Sequence, residues 1–216
     1  MDKTIIRHAV VTALILTAFT VVGTALLSGT FEATKSPIAD SERQATLHLL
    51  SQVMPASLHD NDLLADSLDL PATPELGLKS GARIYRARLQ GAPAGVVLEA
   101  IAPDGYSGEI KLLIGIALDG TLTGVRVLAH KETPGLGDYI DLAHSDWIKN
   151  FDGLSLAKIP EAGWKVKKDG GQFDYMTGAT ITPRAVIKAV HKALQYYAQS
   201  HEQLFATQGA ATQTGE

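Results

Sequence analysis

The chain contains no cysteine. That absence excludes Cys-ligated iron–sulfur clusters, Cys-X-X-Cys-His haem attachment, thiol catalysis and disulfides. No charge of either sign accumulates: the formal net charge is −4, and Lys and Arg are scattered along the sequence. Nucleic acid is therefore not an expected partner. The seven His residues are dispersed and form no His-Glu-x-x-His pattern, so no metal site is expected. No Gly-x-Gly-x-x-Gly run follows a strand-like segment, which argues against a dinucleotide-binding fold. Any redox chemistry must reside in a cofactor held without thiolates.

Long apolar runs are equally scarce, with one exception. Ala9 to Leu27 is an uncharged stretch rich in Leu, Val, Ala and Thr. As a helix rising about 1.5 Å per residue it spans roughly 28 Å, close to the hydrocarbon thickness of a bilayer. Its Thr hydroxyls can bond back to the helix backbone and are tolerable in lipid. The run is longer than a signal-peptide core, and no good Ala-x-Ala site follows Gly23, so a retained anchor is expected. Lys3 and Arg7 precede it, whereas Glu32, Lys35 and Arg43 follow. The positive-inside rule then places the N-terminus in the cytoplasm and the remainder outside.

Ser41-Glu42-Arg43-Gln44 has the form of a capping box, predicting a helix that starts there and runs to about Met54. Residues 55–80, with Pro55, Pro71, Pro74 and Gly77, are expected to be a loop-rich connection. Strand patterns follow at Ile84–Leu89, Ala94–Ala102, Ile110–Leu118 and Leu122–Ala129. Asp119-Gly120 between the last two is a hairpin signal, and four consecutive strands imply an antiparallel meander. A helix is expected at Leu142–Phe151, a further strand at Trp164–Lys167, and a final amphipathic helix from Pro183 to about Gln199. The fold class is α+β: one antiparallel sheet flanked by helices, behind a single transmembrane helix.

One run carries chemistry. Asp174-Tyr175-Met176-Thr177-Gly178-Ala179-Thr180-Ile181-Thr182 leads directly into Pro183 and the final helix. It sets the Thr180 hydroxyl on a small-residue turn before a helix N-terminus. Gly178 and Ala179 allow close backbone approach to an anion. Thr182 is placed to cap the helix, with Pro183 at its first position. Unpaired N–H groups and the positive end of the helix dipole suit a phosphate there. Arg184 and Lys188 lie on the first turns, either adding positive charge or forming solvated surface.

The run resembles, position by position, the Asp-x-x-Ser/Thr-Gly-Ala-Thr-x-Ser/Thr signature of the FMN-binding domain family. Two further blocks, Gly105-Tyr106-Ser107-Gly108-Glu109-Ile110 and His130-Lys131-Glu132-Thr133-Pro134-Gly135-Leu136-Gly137, resemble segments of the G-subunit family of Rnf (Rsx) electron-transport complexes. With the N-terminal anchor, this likeness covers nearly the whole chain. The C-subunit family of sodium-pumping NADH:quinone reductases shares the domain and is the nearest competitor. A non-redox anchored scaffold, or a flavoenzyme with its own small substrate, are the readings from other classes.

The resemblance implies a covalent FMN joined to Thr180 by a phosphodiester. Thr177 and Asp174 would then be recognition or positioning residues, and Gly178, Ala179 and Thr182 would surround the phosphate. Thr133 and the loop N–H groups would meet the polar edge of the flavin ring, with Glu132 holding neighbouring backbone or excluding anions. Tyr106 or Leu136 is a candidate to cover a ring face, and His130 is read as structural. The implied setting is a bacterial inner-membrane complex moving electrons between NADH and ferredoxin, coupled to Na+ or H+ translocation. Its other membrane and peripheral subunits would be partners, and a separate flavin transferase would be needed for maturation. The expected organisation is a cytoplasmic start and anchor over 1–30, a helical stalk and linker over 31–80, an FMN-binding domain over 81–200 and a flexible tail over 201–216.

Overall fold

A computed structural model describes residues 3–205. The chain divides at Thr46/Leu47 into two units. The first is formed by helix α1, Lys3–Val53, whose last residues belong to the second. Within α1, Val10–Phe31 is long and apolar enough to cross a membrane. Its side chains are exposed, Phe19 and Leu27 among them, and the Thr20 and Thr30 hydroxyls donate to the carbonyls of Leu16 and Leu26. Each hydroxyl is thus satisfied inside the helix. The helix continues through residues 41–44, so Ser41 has no helix start to cap. Extending an existing helix by one residue is easier than nucleating a new one, and a local capping signal does not override that.

The second unit is built on a five-stranded antiparallel meander in sequence order: β1 Ser67–Leu70, β2 Ala82–Leu89, β3 Ala92–Ala102, β4 Ile110–Ala117 and β5 Leu122–Ala129. The four expected strands are present. β1 lies in the segment expected to be a connection; it is short, carries Asp69 and stops just before Pro71, so its pattern does not stand out. Gln90 and Gly91 both have positive φ, 53° and 78°, as a type I′ hairpin turn demands between β2 and β3.

Both faces of the sheet are covered. Val96, Leu98 and Ala100 of β3 and Leu112, Ile114 and Ile116 of β4 pack into the larger core, which includes helix α2, Ile181–Phe205. Ala185, Val186, Ala189, Val190, Ala193, Leu194 and Tyr197 supply the helix side of that core. Val97 and Leu113 point the other way, into a smaller core with Leu50, Val53 and Met54 from the end of α1. This end is seated on glycine. A Cβ at Gly115 would collide with the Val53 carbonyl oxygen, and its cross-strand partner Gly124 faces Gln52 and Val53. The Thr123 hydroxyl also donates to the Val53 carbonyl.

Between β5 and α2 the chain forms 3₁₀ turns rather than the expected helix and strand. The longest is Asp146–Phe151, with Asp138–Ile140 before it; in place of the expected strand at Trp164–Lys167 there is an isolated bridge, Val166 to Phe173. Aromatic packing organises this region. Tyr139, Trp147, Phe151, Phe173, Trp164 and His191 form a continuous row, with successive ring centroids 4.9–5.7 Å apart. The final helix starts two residues before Pro183 and ends at Phe205, so residues 201–205 of the expected tail are helical. Residues 206–216 lie outside the described residues.

Two outcomes follow from this packing. Gly115→Ala should destabilise the full chain in detergent by about 1–3 kcal/mol, because the α1 end must shift off the sheet; an unchanged melting temperature would contradict that seat. The second concerns His191, which stacks on Trp164 and whose buried Nε2 lies 3.3 Å from Glu161 Oε2 but makes no hydrogen bond among the described residues. Burial pushes the imidazole below its ordinary 6.5, against the opposing pull of Glu161. The unfolded chain therefore binds this proton more readily, and the stability from the neutral ring is lost as pH falls below 6.5. Thermal melts from pH 8 to 5 should fall less steeply for His191→Phe than for the wild type.

Candidate cofactor site

The three motif blocks, far apart in sequence, converge on one cleft of about 340 Å³. Its walls are Tyr106 from the first block, Glu132, Thr133, Leu136 and Gly137 from the second, and Gly178, Ala179, Ile181 and Thr182 from the third. The volume falls within the range of small-molecule sites. Tyr106, Leu136 and Ile181 are all well exposed for apolar side chains, giving the cleft an apolar rim.

Glu132 ties the blocks together. It is 4% exposed. One carboxylate oxygen accepts the Ser107 N–H at 3.0 Å, and the other accepts the Thr182 hydroxyl. The Glu132 N–H donates to His130 Nδ1 at 3.1 Å, which gives His130 a structural role. A buried carboxylate needs such donors, and these come from two other segments, so three blocks meet at Glu132. The motif glycines make room for it. A Cβ on Gly137 would lie 2.7 Å from Glu132 Oε2 and 2.9 Å from Thr182 Oγ1, and one on Gly105 would lie 3.0 Å from Glu132 Oε1.

The 174–180 run forms a defined turn. The Ala179 N–H donates to the Met176 carbonyl at 3.0 Å, and Gly178 has φ +91°. Positive φ at the third turn residue is the type II requirement, which explains glycine there. Thr177 and Gly178 are exposed, Ala179 is buried, and Thr180 is half-buried immediately before α2. Thr180 is not itself a wall residue; it lies between Ala179 and Ile181, which are. A helix start leaves its first N–H groups without intrahelical acceptors, here those of Thr180, Ile181 and Thr182.

One expectation needs correction. Thr182 is not the cap of α2: the helix already includes Ile181, and the Thr182 hydroxyl is committed to Glu132. Two readings are open for Arg184 and Lys188, and both side chains lie at the surface in ion pairs. Arg184 binds both carboxylate oxygens of Asp169 at 2.6 and 2.7 Å, and Lys188 pairs with Asp104 at 2.6 Å. The guanidinium bond holds the Asp169 carboxyl below its usual range, as the ammonium bond does for Asp104. Asp174 and Thr177 do not line the cleft, and the Asp174 carboxylate pairs with Lys167 at 2.6 Å.

Two residues that sequence reasoning did not single out hold the same run. Trp147 Nε1–H donates to the Asp174 carbonyl at 2.8 Å, and the Met176 N–H donates to the Tyr139 hydroxyl oxygen at 3.3 Å. Burial pushes the Tyr139 phenol above its usual range. No local pattern marks either residue as a partner of a loop some 30 positions later.

The FMN-binding domain family matches residues 105–195, which take in all three blocks, and the RnfG N-terminal region family matches residues 1–53. The G subunit of the ion-translocating oxidoreductase complex of Pseudomonas aeruginosa is 47% identical over 211 residues, 98% of this chain and 99% of that protein. The chain belongs to the G-subunit family of ion-translocating oxidoreductase complexes. Members from Vibrio cholerae are 49% identical over 88% of this chain and 91% of theirs, and one from Aliivibrio fischeri is 46% identical over 89% and 91%. Among solved structures, Shewanella oneidensis NqrC is similar over 71% of this chain and 75% of that one, at TM-score 0.45 and 23% identity.

For this member of the G-subunit family, the Glu132 bonds yield a direct test. Glu132→Ala leaves the Ser107 N–H and the Thr182 hydroxyl without their acceptor and should cost about 2–3 kcal/mol. Denaturant unfolding of the full chain measures it, and a loss below about 0.5 kcal/mol would show that these bonds do not join the walls.

Proposed function

We propose that this chain is the electron-carrying G subunit of a membrane-bound, ion-translocating oxidoreductase, holding one FMN covalently through a phosphodiester on Thr180. The observation that carries this reading is the convergence of the three blocks on one cleft beside the Thr180 turn. The residues suit the group. The first N–H groups of α2 are free for a phosphate, and the helix dipole favours negative charge there. Gly178 and Ala179 leave the backbone approachable. Leu136, Tyr106 and Ile181 provide apolar surface for the ring system, and Thr133, exposed at the cleft, provides a hydroxyl for its polar edge.

FMN, when bound, accepts and releases electrons one at a time, so it can link one-electron partners. The protein supplies position and environment. Glu132 keeps the walls in register, Thr177 and Gly178 shape the turn, and Asp174 opens the run, its carbonyl held by the Trp147 indole N–H and its exposed carboxylate paired with Lys167. Thr180 takes part in a single modification: its Oγ bonds to the FMN phosphorus of FAD, the bond to AMP breaks, AMP leaves and the hydroxyl proton is lost. A separate flavin transferase performs this step. In the assembled complex, of NADH:ferredoxin type and coupled to Na+ or H+ movement, the other subunits donate to and accept from this flavin. α1 anchors the chain in the bacterial inner membrane with the domain on the periplasmic side.

Intact mass and peptide mapping of protein co-expressed with a flavin transferase test the assignment. The Thr180 peptide should carry one FMN less water after denaturation, and Thr180→Val should lose it while retaining the wild-type melting profile. Covalent flavin persisting in Thr180→Val would overturn the attachment residue.

A further inference from the structure

We propose that Trp147 and Tyr139 are positioning residues for flavin attachment, holding residues 174–176 from the buried aromatic row and so fixing the turn that presents Thr180. This inference rests on Thr180 being the attachment residue.

The run leaves the core at Phe173, which is buried, and returns to it at Ala179; Asp174, Met176, Thr177 and Gly178 between them are exposed. An exposed segment containing a glycine at φ +91° has many conformations available unless something restrains it. Three side chains do. The Lys167–Asp174 ion pair is itself more than half exposed and restrains little. The other two are different in kind. Trp147 is 7% exposed and Tyr139 6%, and their rings meet edge to face at 5.6 Å. Trp147 is gripped on its other side by Phe151, edge to face at 5.5 Å, and its backbone N–H donates to the Ser145 hydroxyl. These rotamers are set by packing, so the two polar tips are fixed points. One fixes the Asp174 carbonyl and the other the Met176 N–H, two residues apart.

A buried indole N–H requires an acceptor, and here the loop carbonyl fills that role. Packing of the row and conformation of the loop are therefore coupled. Tyr139 also comes two residues after the wall loop 132–137, so it links that wall to the attachment run. Forming the Oγ–phosphorus bond needs Thr180 in one orientation toward the incoming phosphorus. If the competent turn is one of several populated, the attachment rate falls by the populated fraction.

The test uses the full chain in detergent with a flavin transferase and FAD, following covalent FMN on the Thr180 peptide with time. Tyr139→Phe keeps the ring and removes only the hydroxyl; Trp147→Phe removes the N–H and also shrinks the ring, so its loss of packing is judged against the row-weakening control. Phe151→Leu is the control: it weakens the same row but makes no bond to the run. Loss of one such bond should slow attachment about tenfold in Trp147→Phe, with a smaller slowing in Tyr139→Phe. Phe151→Leu should lower the melting temperature more yet load at close to the wild-type rate. Wild-type loading rates in both tip variants would overturn the proposal, as would equal slowing in Phe151→Leu. Absence of flavin from the wild-type Thr180 peptide is a separate result, visible before any variant is compared, and overturns the attachment assignment itself.

Discussion

A buried carboxylate must be met by hydrogen-bond donors, and the way Glu132 is met fixes the cleft. Its two oxygens take a backbone N–H from the β3–β4 connection and a hydroxyl from the first turn of α2, while its own N–H is held by His130. Three segments are thereby brought together whose local sequences say nothing of one another. The glycines of two blocks follow from the same contact: Gly105 and Gly137 are the positions where a side chain would occupy the space of the carboxylate or of its Thr182 partner. The blocks are glycine-rich mainly because of what packs against them.

The same commitment of polar groups shapes the electrostatics. Asp104 with Lys188, Asp169 with Arg184 and Asp174 with Lys167 consume the charges on the first turns of α2 and at the start of the 174–180 run. What remains at the cleft is backbone N–H, the hydroxyl of Thr133, and an apolar rim of Tyr106, Leu136 and Ile181. Under the proposed reading, the phosphate is held by helix-start N–H groups and a covalent bond, with no nearby lysine or arginine required. The buried aromatic row behind the run adds rigidity from the other side, because its indole and phenol tips end on the loop backbone.

The sheet that carries these segments is packed on both faces. Val96, Val97 and Leu98 are successive in β3, and all are fully buried, the two even-numbered residues under α2 and the odd one under the end of α1. Two-sided burial turns a strand that would alternate into an unbroken apolar run. The glycine pair Gly115 and Gly124 lets the end of α1 lie against the β4 and β5 backbone, so its last turn becomes part of the domain core.

The sequence by itself determined what depends on near neighbours. The apolar period of α2, the four strand patterns, the Asp119-Gly120 hairpin and the long uncharged run within α1 all follow from spacings of a few residues. Thr180 before a helix start and Gly178 at a turn were legible for the same reason. The tertiary structure alone decided partners. Thr182 lost its expected capping role because a carboxylate fifty positions away claimed its hydroxyl. Arg184 and Lys188 met Asp169 and Asp104, fifteen and eighty-four positions away. Helix and strand between β5 and α2 gave way to 3₁₀ turns where ring packing, rather than backbone period, sets the path. Local propensity is a matter of tenths of a kcal/mol per residue, whereas satisfying a buried polar group or seating an aromatic ring is worth about one or more, so the long-range contact prevails wherever the two compete.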